Sequence, residues 1–431
     1  MAPARMRPRR ARTGPLPAFV ESASDGPPPD RPAAGSRPRR QKTFCEFFAG
    51  IGLVREGLRV SGWDCAYAND IDPAKRRMYE ARFGKSKEFH LGDVWNTQEV
   101  LARIRCAPLL ATASFPCIDL SLAGSGCGLR GEHSSAFFGF VEALRSLADR
   151  RPALVLLENV PGFITSRGGK DFATAMHALA DLGYWLDAFV LDARHFVPQS
   201  RPRVFVVGLH RSEVATPTTA PLSPESFADR WRRAIDRQSL ALRPRELFRL
   251  MQTVSLSTGW MGLDLSVPSP RRKTLADVID AGDEQEWWDA SAVARHSDMM
   301  NDLHRNRLAL LRAQGGTHIG TMYRRTRNHA MRAEIRVDGI AGCLRTPRGG
   351  SARQIVVVVD QGRVRMRWMS PREYARLQGA DDFPLLENAN QNLFGFGDAV
   401  CVPVITWIDR HLLTPLVDSL PSPSRAARAA T

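Results

Sequence analysis

The sequence has little cysteine and no long apolar run. Its seven cysteines among 431 residues are scattered and include no Cys-x-x-Cys pair, so they predict neither a disulfide framework nor a structural zinc site. No apolar run approaches the roughly 20 residues of a membrane span. The best candidate, residues 401–417, is interrupted by Asp409, Arg410 and His411, and the basic N-terminus lacks the apolar segment of a secretory signal. We therefore expect a protein of a reducing, cytosolic compartment with no membrane segment and no metal.

Positive charge, in contrast, is in excess. Lys and Arg number 60 against 45 Asp and Glu, which gives a formal net charge of +15. A surplus of this size favours a polyanionic partner, with nucleic acid ahead of an anionic membrane surface. The length is enough for two domains with packed cores.

The N-terminal segment, residues 1–42, differs in composition from the rest of the chain. It carries ten basic and three acidic residues, and prolines recur while large apolar side chains are few. Such a segment cannot bury enough surface to offset its ordering entropy, so we predict a disordered tail. It would be an electrostatic arm for DNA, a solvated tail or the product of a misassigned translation start. Residues 416–431, rich in Ser, Pro, Ala and Arg, are predicted to be frayed.

Short apolar strands alternate with helical patterns from Thr43 to about residue 209, which predicts a mostly parallel sheet with helices on both faces. The predicted strands are 44–48, 65–70, 108–115, 153–157, 185–192 and 204–208, and the predicted helices are 73–83, 135–149 and 170–182. From about 210 to 337 periodicity is weak and arginine abundant, which indicates a second, irregular domain. Beyond it we predict a strand at 355–359 and helices at 371–377 and 402–413.

The first predicted strand ends in the glycine turn FAGIG (residues 48–52), and a helical pattern follows. Glycines at such a turn let the backbone approach a ligand closely. Asp70, at the end of the next strand, is placed to accept hydrogen bonds from ribose hydroxyls. The spacing is not the full G-x-G-x-x-G of dinucleotide-binding proteins, and the glycines could equally serve only the turn.

Two further motifs follow predicted strands, at the sheet edge where open α/β folds bind ligands. In SFPCIDLS (114–121) Cys117 is either a nucleophile or a buried small apolar residue, and the glycine-rich segment after it could close over a substrate. In LLENVPG (156–162) Glu158 could act as an acid, cap a helix or form a salt bridge. In QSRPR (199–203), which precedes a strand, Arg201 and Arg203 could hold an anion or a carbonyl, or be ordinary surface charges.

The order of these motifs resembles that of the DNA (cytosine-5) methyltransferase family. After the four motifs and a variable region come RWMSPREYARLQG (367–379) and FGDAV (396–400), so that the resemblance covers about residues 43–411. It implies an α/β, Rossmann-like S-adenosylmethionine-dependent methyltransferase fold with a smaller, irregular target-recognition domain. The implied limits are 43–209 for the first catalytic segment, about 210–365 for target recognition and 366–415 for a return segment that completes the catalytic domain.

The resemblance implies covalent chemistry. Cys117 matches the nucleophile that adds to C6 of a cytosine flipped out of the duplex, so that C5 can take a methyl group from S-adenosylmethionine. Glu158 matches the glutamate that donates a hydrogen bond or proton at N3. Arg203 matches the arginine that contacts the ring carbonyl, with Arg201 beside it, and no metal is required.

The resemblance also implies an S-adenosylmethionine site. Its residues would be Phe48 and Asp93 at the adenine, Asp70 and Ile71 at the ribose and adenine, Gly50 and Gly52 at the methionine end, and Pro116, Asp398 and Ala399 completing the pocket.

The chain departs from the family pattern in three of its motifs. Leu53 and Val54 follow Gly52 where Gly-Gly is usual, and Ile118 follows Cys117 where Gln is usual. Asp398 stands where the family has Asn, and an anion there would face the methionine carboxylate of the cofactor.

The implied function is that of a DNA (cytosine-5-)-methyltransferase, the modification enzyme of a restriction–modification system. It would act on double-stranded DNA as a monomer in the bacterial cytoplasm, with a separately encoded restriction endonuclease as a candidate partner. The same chemistry on RNA is disfavoured by the large basic recognition region. A catalytically inactive DNA-binding homologue is disfavoured by the presence of Cys117, Glu158, Arg201 and Arg203. A small-molecule methyltransferase would not need the recognition region.

Overall fold

The computed structural model describes residues 40–85, 87–120, 128–131, 133–213, 242–263, 265–327, 329–347 and 352–420. The predicted tail lies outside these residues except for 40–42. Most of the glycine-rich segment after Cys117, the turn at 348–350 and residues 421–431 lie outside them as well. Residues from Arg40 onward belong to one compact unit.

Strands and helices alternate in the first half of the chain, as the sequence predicts. They are β1 (Thr43–Phe47), α1 (Leu53–Arg59), β2 (Asp64–Asp70), α2 (Pro73–Phe83), β3 (Phe89–Leu91), α3 (Thr97–Arg103), β4 (Leu110–Ala113), α4 (Ala136–Ser146), β5 (Leu154–Asn159), α5 (Gly162–Thr165), α6 (Lys170–Asp181), β6 (Tyr184–Asp192) and β7 (Pro202–His210). Helix α2 begins where its sequence favours a start, because the Asp72 carboxylate caps the amide of Ala74 and Pro73 occupies the first turn.

The second half of the chain contributes both sheet and helix. Its elements are α7 (Arg245–Thr253), α8 (Ala290–Asp298), α9 (Asp302–Gln314), β8 (Thr317–Arg327), β9 (Ala330–Arg336), β10 (Ile355–Asp360), β11 (Arg363–Trp368), α10 (Pro371–Leu377), α11 (Ala389–Asp398), α12 (Val402–Ile408), a π-helical turn (Asp409–Leu413) and α13 (Thr414–Ser419). Helix α13 runs into the segment predicted to be frayed and buries Val417, so that residues 416–419 are helical instead of frayed.

The main sheet has the strand order β3-β2-β1-β4-β5-β7-β6. Strands β1 to β5 pair in parallel, and β7 is antiparallel to both β5 and β6. Alternate residues of β1 enter separate cores, with Phe44 on one face and Cys45 and Phe47 on the other. Burial on both faces is what a parallel sheet covered by helices requires, and the predicted α/β class is confirmed.

A second sheet replaces the irregular structure that weak periodicity predicts for this region. It is antiparallel, in the order β11-β10-β8-β9, and its separate core draws on residues 288–368. The pattern is weak because an outer strand such as β9 buries few apolar side chains, Ala333 and Ile335, between polar ones. The core of this sheet uses less of the chain than the 210–365 predicted for target recognition. Residues 242–263 instead pack along β6 of the main sheet.

The motif at 367–379 lies where the chain leaves the second sheet and returns to the main sheet. The Glu373 carboxylate is fully buried and pairs with the guanidinium group of Arg367, with an Nη1–Oε2 distance of 2.8 Å. The same carboxylate accepts a hydrogen bond from the amide of Ser370, whose hydroxyl caps the amide of Glu373 in a reciprocal capping box. The motif therefore fixes the start of α10.

The last helices form a long apolar run against the main sheet. Within Ala389–Ser419, 31 residues, one window has a mean hydropathy of 1.3, enough by length and composition to cross a membrane. That window is 61% buried inside the protein, as in the core helix of a soluble protein. Helix α12 approaches α1 closely, because an added Cβ on Gly57 would lie 2.7 Å from the Cβ of Ile405.

Glu46, in the middle of β1, is a buried acid beneath the glycine turn. Its side chain is 1% exposed, and neither carboxylate oxygen has a hydrogen bond of normal geometry among the described residues. Burial raises its pKa from 4.5 to about 8, although Arg55 and the amides at the start of α1 oppose the shift. A folded-state pKa above the unfolded value means that stability falls as the pH rises from about 4.5 to about 8.

Substitution Glu46→Gln is therefore expected to stabilise the protein at alkaline pH and to leave it nearly unchanged near pH 4.5. The gain at pH 8 is expected to be about 3 to 5 kcal/mol, measured by denaturant unfolding across this pH range. Glu142→Gln, on the exposed part of α4, is the matched control and should show no such pH-dependent gain. Parallel stability curves for Glu46→Gln and the wild type would contradict a neutral buried carboxyl.

Candidate active site

The predicted site motifs meet at one edge of the main sheet. Parallel strands β1, β2, β4 and β5 all end there, and the glycine turn, Asp70, the Pro-Cys loop and Glu158 lie at or just after those ends. Strand β7 is antiparallel, so that its first residues lie where β5 ends, with Phe205 opposite Glu158. This reversal brings Arg203 beside Glu158, although the two lie 45 positions apart in the chain.

The loop that carries Cys117 is held by hydrogen bonds on both sides. The Asn159 side chain donates to the carbonyl of Phe115 at 3.1 Å, and the Ser134 hydroxyl donates to the carbonyl of Pro116 at 2.9 Å. The Asp119 carboxylate accepts from the amide of Ser134 at 2.9 Å. Cys117 is left half-buried between these anchors. Asp119 and Ser134 are positioning residues that the motifs did not single out.

Glu158 and Arg203 form an ion pair whose charges act on Cys117. The distance from Arg203 Nε to Glu158 Oε1 is 2.9 Å, and both side chains are mostly buried. One Nη atom of Arg203 also donates to the carbonyl of Pro202 at 2.8 Å. A carboxyl group and a guanidinium group are thus fixed side by side. A ring with a nitrogen next to a carbonyl could bond to the carboxyl group through the nitrogen and to the guanidinium group through the carbonyl.

The charges around Cys117 act in opposite directions. Burial raises the pKa of its thiol, and the negative charges of Glu158 and Asp398 add to that, whereas Arg203 lowers it. In the free protein the thiol is therefore favoured over the thiolate.

Arg201 is buried, and its side chain forms hydrogen bonds with backbone carbonyl groups. Its guanidinium group donates to the carbonyls of Leu344 at 2.8 Å, Ala399 at 2.6 Å and Gly397 at 3.3 Å. These contacts tie the FGDAV motif and the segment before β10 to the start of β7. In this structure the side chain joins distant segments around the site.

Cys343 lies against the two arginines, a placement that sequence analysis missed. Its Sγ is 3.5 Å from Arg201 Nη1 and 4.0 Å from Arg203 Nη2. Burial opposes ionisation of this thiol, but Arg201, Arg203 and Arg345 together outweigh it and lower its pKa. The residue lies 140 positions after Arg203 and outside any recognised motif, so no local pattern could have indicated it.

The glycine turn is held in an unusual backbone conformation. Phe48, Gly50 and Gly52 have φ values of 56°, 57° and 83°. The amide of Gly50 donates to one oxygen of Asp70 at 2.8 Å, and the amide of Asp72 donates to the other at 2.9 Å. A Cβ on Gly52 would lie within 2.8 Å of Tyr79 and Phe83, so this position accepts no larger residue without a shift.

The surroundings of the turn fit an adenosine cofactor. Beyond Asp70, the side chain of Ile71 is 68% exposed, which gives an apolar surface next to a carboxylate. Asp93 is exposed as well. Above Gly50 there is open space, since among the described residues other than its chain neighbours only Lys75 comes within 4 Å of an added Cβ, with Cδ at 3.9 Å. An apolar face for a base, acids for hydroxyl or amino groups and an open backbone are what such a ligand needs.

Asp398 pairs with the lysine that borders this space. It ends α11, and its Oδ2 is 3.3 Å from Nζ of Lys75, near the start of α2. The anion that replaces the usual Asn of the motif is thus paired with a cation. Among the described residues, no group of three or more His, Cys, Asp or Glu side chains could hold a metal ion.

Comparison with known proteins agrees with this arrangement. The model of the C-5 cytosine-specific DNA methylase family matches residues 42–414. The chain belongs to the C-5 cytosine-specific DNA methylase family. The predicted resemblance is thereby confirmed, and the site lies within the matched residues.

Curated relatives are similar over part of the chain. The Type II methyltransferase M.HpaII of Haemophilus parainfluenzae is 32% identical over 184 residues, 42% of this chain and 49% of that protein. The Type II methyltransferase M.BsuFI of Bacillus subtilis is 34% identical over 169 residues, 39% of each chain. The match thus spans less than half the length of these relatives.

Solved structures support the fold over a larger share of the chain. An Entamoeba histolytica methyltransferase, EhMeth, matches with a TM-score of 0.58 and 13% identity, covering 88% of this chain and 99% of that one. The S. pombe Dnmt2 methyltransferase matches with a TM-score of 0.53 and 15% identity, with the same coverage. At this identity the likeness concerns the fold, which is that of a methyltransferase.

Proposed function

We propose that this C-5 cytosine-specific DNA methylase transfers a methyl group from S-adenosylmethionine to C5 of a cytosine flipped out of duplex DNA. The observation that carries the proposal is the mostly buried Glu158–Arg203 ion pair, whose charges act on Cys117 at the sheet edge that also bears the glycine turn. A nucleophile, an acid and a cofactor loop are thus gathered at one place. The cytosine must leave the base stack, because a thiol cannot reach C6 inside it.

Each of the three side chains has one task in the proposed reaction. The Cys117 thiolate forms a bond to C6 of the cytosine, and the ring electrons move towards C5, which becomes nucleophilic. Glu158 donates a hydrogen bond or proton at N3 and so accepts the developing charge, while Arg203 holds the ring carbonyl and orients Glu158. When bound, S-adenosylmethionine supplies the methyl group. The C5 proton then passes to solvent, and the electrons of its bond restore the C5–C6 double bond and expel the Cys117 thiolate.

The remaining assignments are proposals that rest on the family motifs together with this geometry. We assign Arg201 a positioning role, since its guanidinium group is engaged by three backbone carbonyls. Phe48, Gly50, Gly52, Asp70, Ile71, Asp93, Pro116, Asp398 and Ala399 are the proposed cofactor residues. For Asp70 we propose that it orders the glycine turn in addition to accepting from the ribose, because both its oxygens already hold backbone amides.

The proposed biological role is that of the modification enzyme of a restriction–modification system, as a monomer in the bacterial cytoplasm. Its support is that the curated relatives are bacterial Type II methyltransferases. The second sheet, with its arginine-bearing strands β8 and β9, is proposed to face the DNA, where arginines can take phosphates or guanine edges.

The direct test is conversion sequencing of DNA from cells that express the protein, together with methylation of purified duplex DNA and transfer RNA in vitro. The proposal predicts 5-methylcytosine in one duplex sequence context and none in the RNA. Methylation confined to RNA would support the alternative substrate. DNA binding without methylation would indicate an inactive homologue.

A further inference from the structure

We propose that Lys75 is the cation that binds the α-carboxylate of S-adenosylmethionine, and that it does so while neutralising Asp398. The inference rests on the proposed function, because it assumes this cofactor. It adds a residue that lies in none of the motifs and gives the Asp398 departure a physical reason.

The first observation is the position of Lys75 over the glycine turn. It lies in the first turn of α2, and its Cδ is the nearest heavy atom to the open space above Gly50. Its side chain remains 24% exposed, and that of Asp398, its partner at 3.3 Å, is 47% exposed. The Lys75–Asp398 pair is therefore accessible to a ligand that binds above Gly50.

The second observation is that the charge of Asp398 acts on both sides of the site. Asp398 contacts Lys75 on one side, and its negative charge reaches Cys117 strongly enough to act on that thiol. To methylate a cytosine bonded to Cys117, the cofactor that lies on the glycine turn must place its sulfur close to that cytosine. The amino-acid end attached to that sulfur then lies within reach of the Lys75–Asp398 pair.

The third observation is the balance of charge. Asp70, Asp72 and Asp398 surround Lys75, and although burial opposes its ionisation, these carboxylates together raise its pKa, so that it stays charged. Asp70 and Asp72 already accept backbone amides. Without the ammonium group of Lys75, the carboxylate of the cofactor would approach an uncompensated Asp398, and like charges in a partly buried site repel strongly.

The test compares two ligands that differ by one carboxylate, S-adenosylmethionine and its decarboxylated analogue, by titration calorimetry on the full chain. Lys75→Met is expected to weaken S-adenosylmethionine binding by at least about tenfold, the scale of one charge-assisted hydrogen bond. It should leave the Kd of the decarboxylated analogue within about twofold. The double variant Lys75→Met/Asp398→Asn should regain part of the lost affinity, because the repelling charge is gone.

The matched control is Arg76→Met on the same helix. Arg76 pairs with Glu80 and is 41% exposed, so that its removal takes away one positive charge without touching the turn. Equal losses for both ligands in Lys75→Met, or no loss at all, would overturn the inference. If the wild-type protein bound neither ligand, the proposed function itself would fail, whereas tight wild-type binding with an unaffected Lys75→Met would overturn the inference alone.

Discussion

Substitution Cys117→Ala is expected to reduce single-turnover methyl transfer by on the order of 10⁴-fold or more. Without the thiolate, C5 of cytosine is too weak a nucleophile to take the methyl group. The anchors around the loop, Asn159, Asp119 and Ser134, do not depend on the thiol, so duplex DNA affinity should change by about twofold at most. Rate and affinity are measured on the same duplex.

Covalent chemistry can be separated from a mere binding role by trapping. A duplex with 5-fluorocytosine at the target has no C5 proton to lose, so the wild-type enzyme should remain attached to it through denaturing electrophoresis. Cys117→Ala should leave no such complex, whereas Cys106→Ala, at the opposite end of β4, should trap normally. Methylation at the wild-type rate by Cys117→Ala, or trapping through another residue, would remove Cys117 from the mechanism.

Substitution Glu158→Gln is expected to lower the methylation rate by about 10² to 10⁴-fold, the usual contribution of a general acid. The amide cannot protonate N3, and it leaves the buried guanidinium group of Arg203 without its counter-charge. Binding of S-adenosylmethionine should be unchanged within about twofold, because the pair is not part of the glycine turn. Single-turnover rates and calorimetric Kd values test the two halves of this expectation.

Coupling between the paired groups provides a sharper check. Arg203→Lys should cost less activity in the Glu158→Gln background than alone, because residues that act as a unit are not additive. Additive losses would mean that the two side chains act separately. A proportional loss of cofactor affinity in Glu158→Gln would point to general damage at the sheet edge instead of lost acid chemistry.

The sequence predicts much of the site because its groups follow strand ends. A residue that comes directly after a buried parallel strand has a known place, at the carboxyl edge, and this brings Cys117, Glu158 and Asp70 together without any long-range information. The position of Arg203 beside Glu158 depends on the antiparallel direction of β7, and the alternation of strands and helices in the sequence does not reveal that direction. Cys343 and Lys75 required tertiary structure, since their neighbours lie 140 and 323 positions away.

Helices and strands were likewise predicted well where neighbouring residues determine them and poorly where distant residues do. Helix α2 was predicted with its observed bounds, since Asp72 and Pro73 start it. Helix α10 was too, since Ser370 and Glu373 fix its first turn. Strand β3 was missed because three residues are too few to show a pattern. Strand β10 of the second sheet lies where a strand was predicted, at 355–359, but β8, β9 and β11 were missed. Arginines are frequent in the missed strands and conceal the alternation of buried residues such as Ala333 and Ile335 in β9.

The close contact between α1 and α12 has a consequence for synthesis on the ribosome. Gly57 meets Ile405, and the Trp63 indole donates to Asp409 at 2.8 Å, so residues near the start of the fold are covered by those near its end. A nascent chain that has already emerged through β7 still exposes this apolar face, and it stays exposed until about 200 further residues have been translated. Truncated or slowly translated chains should therefore be substrates for chaperones.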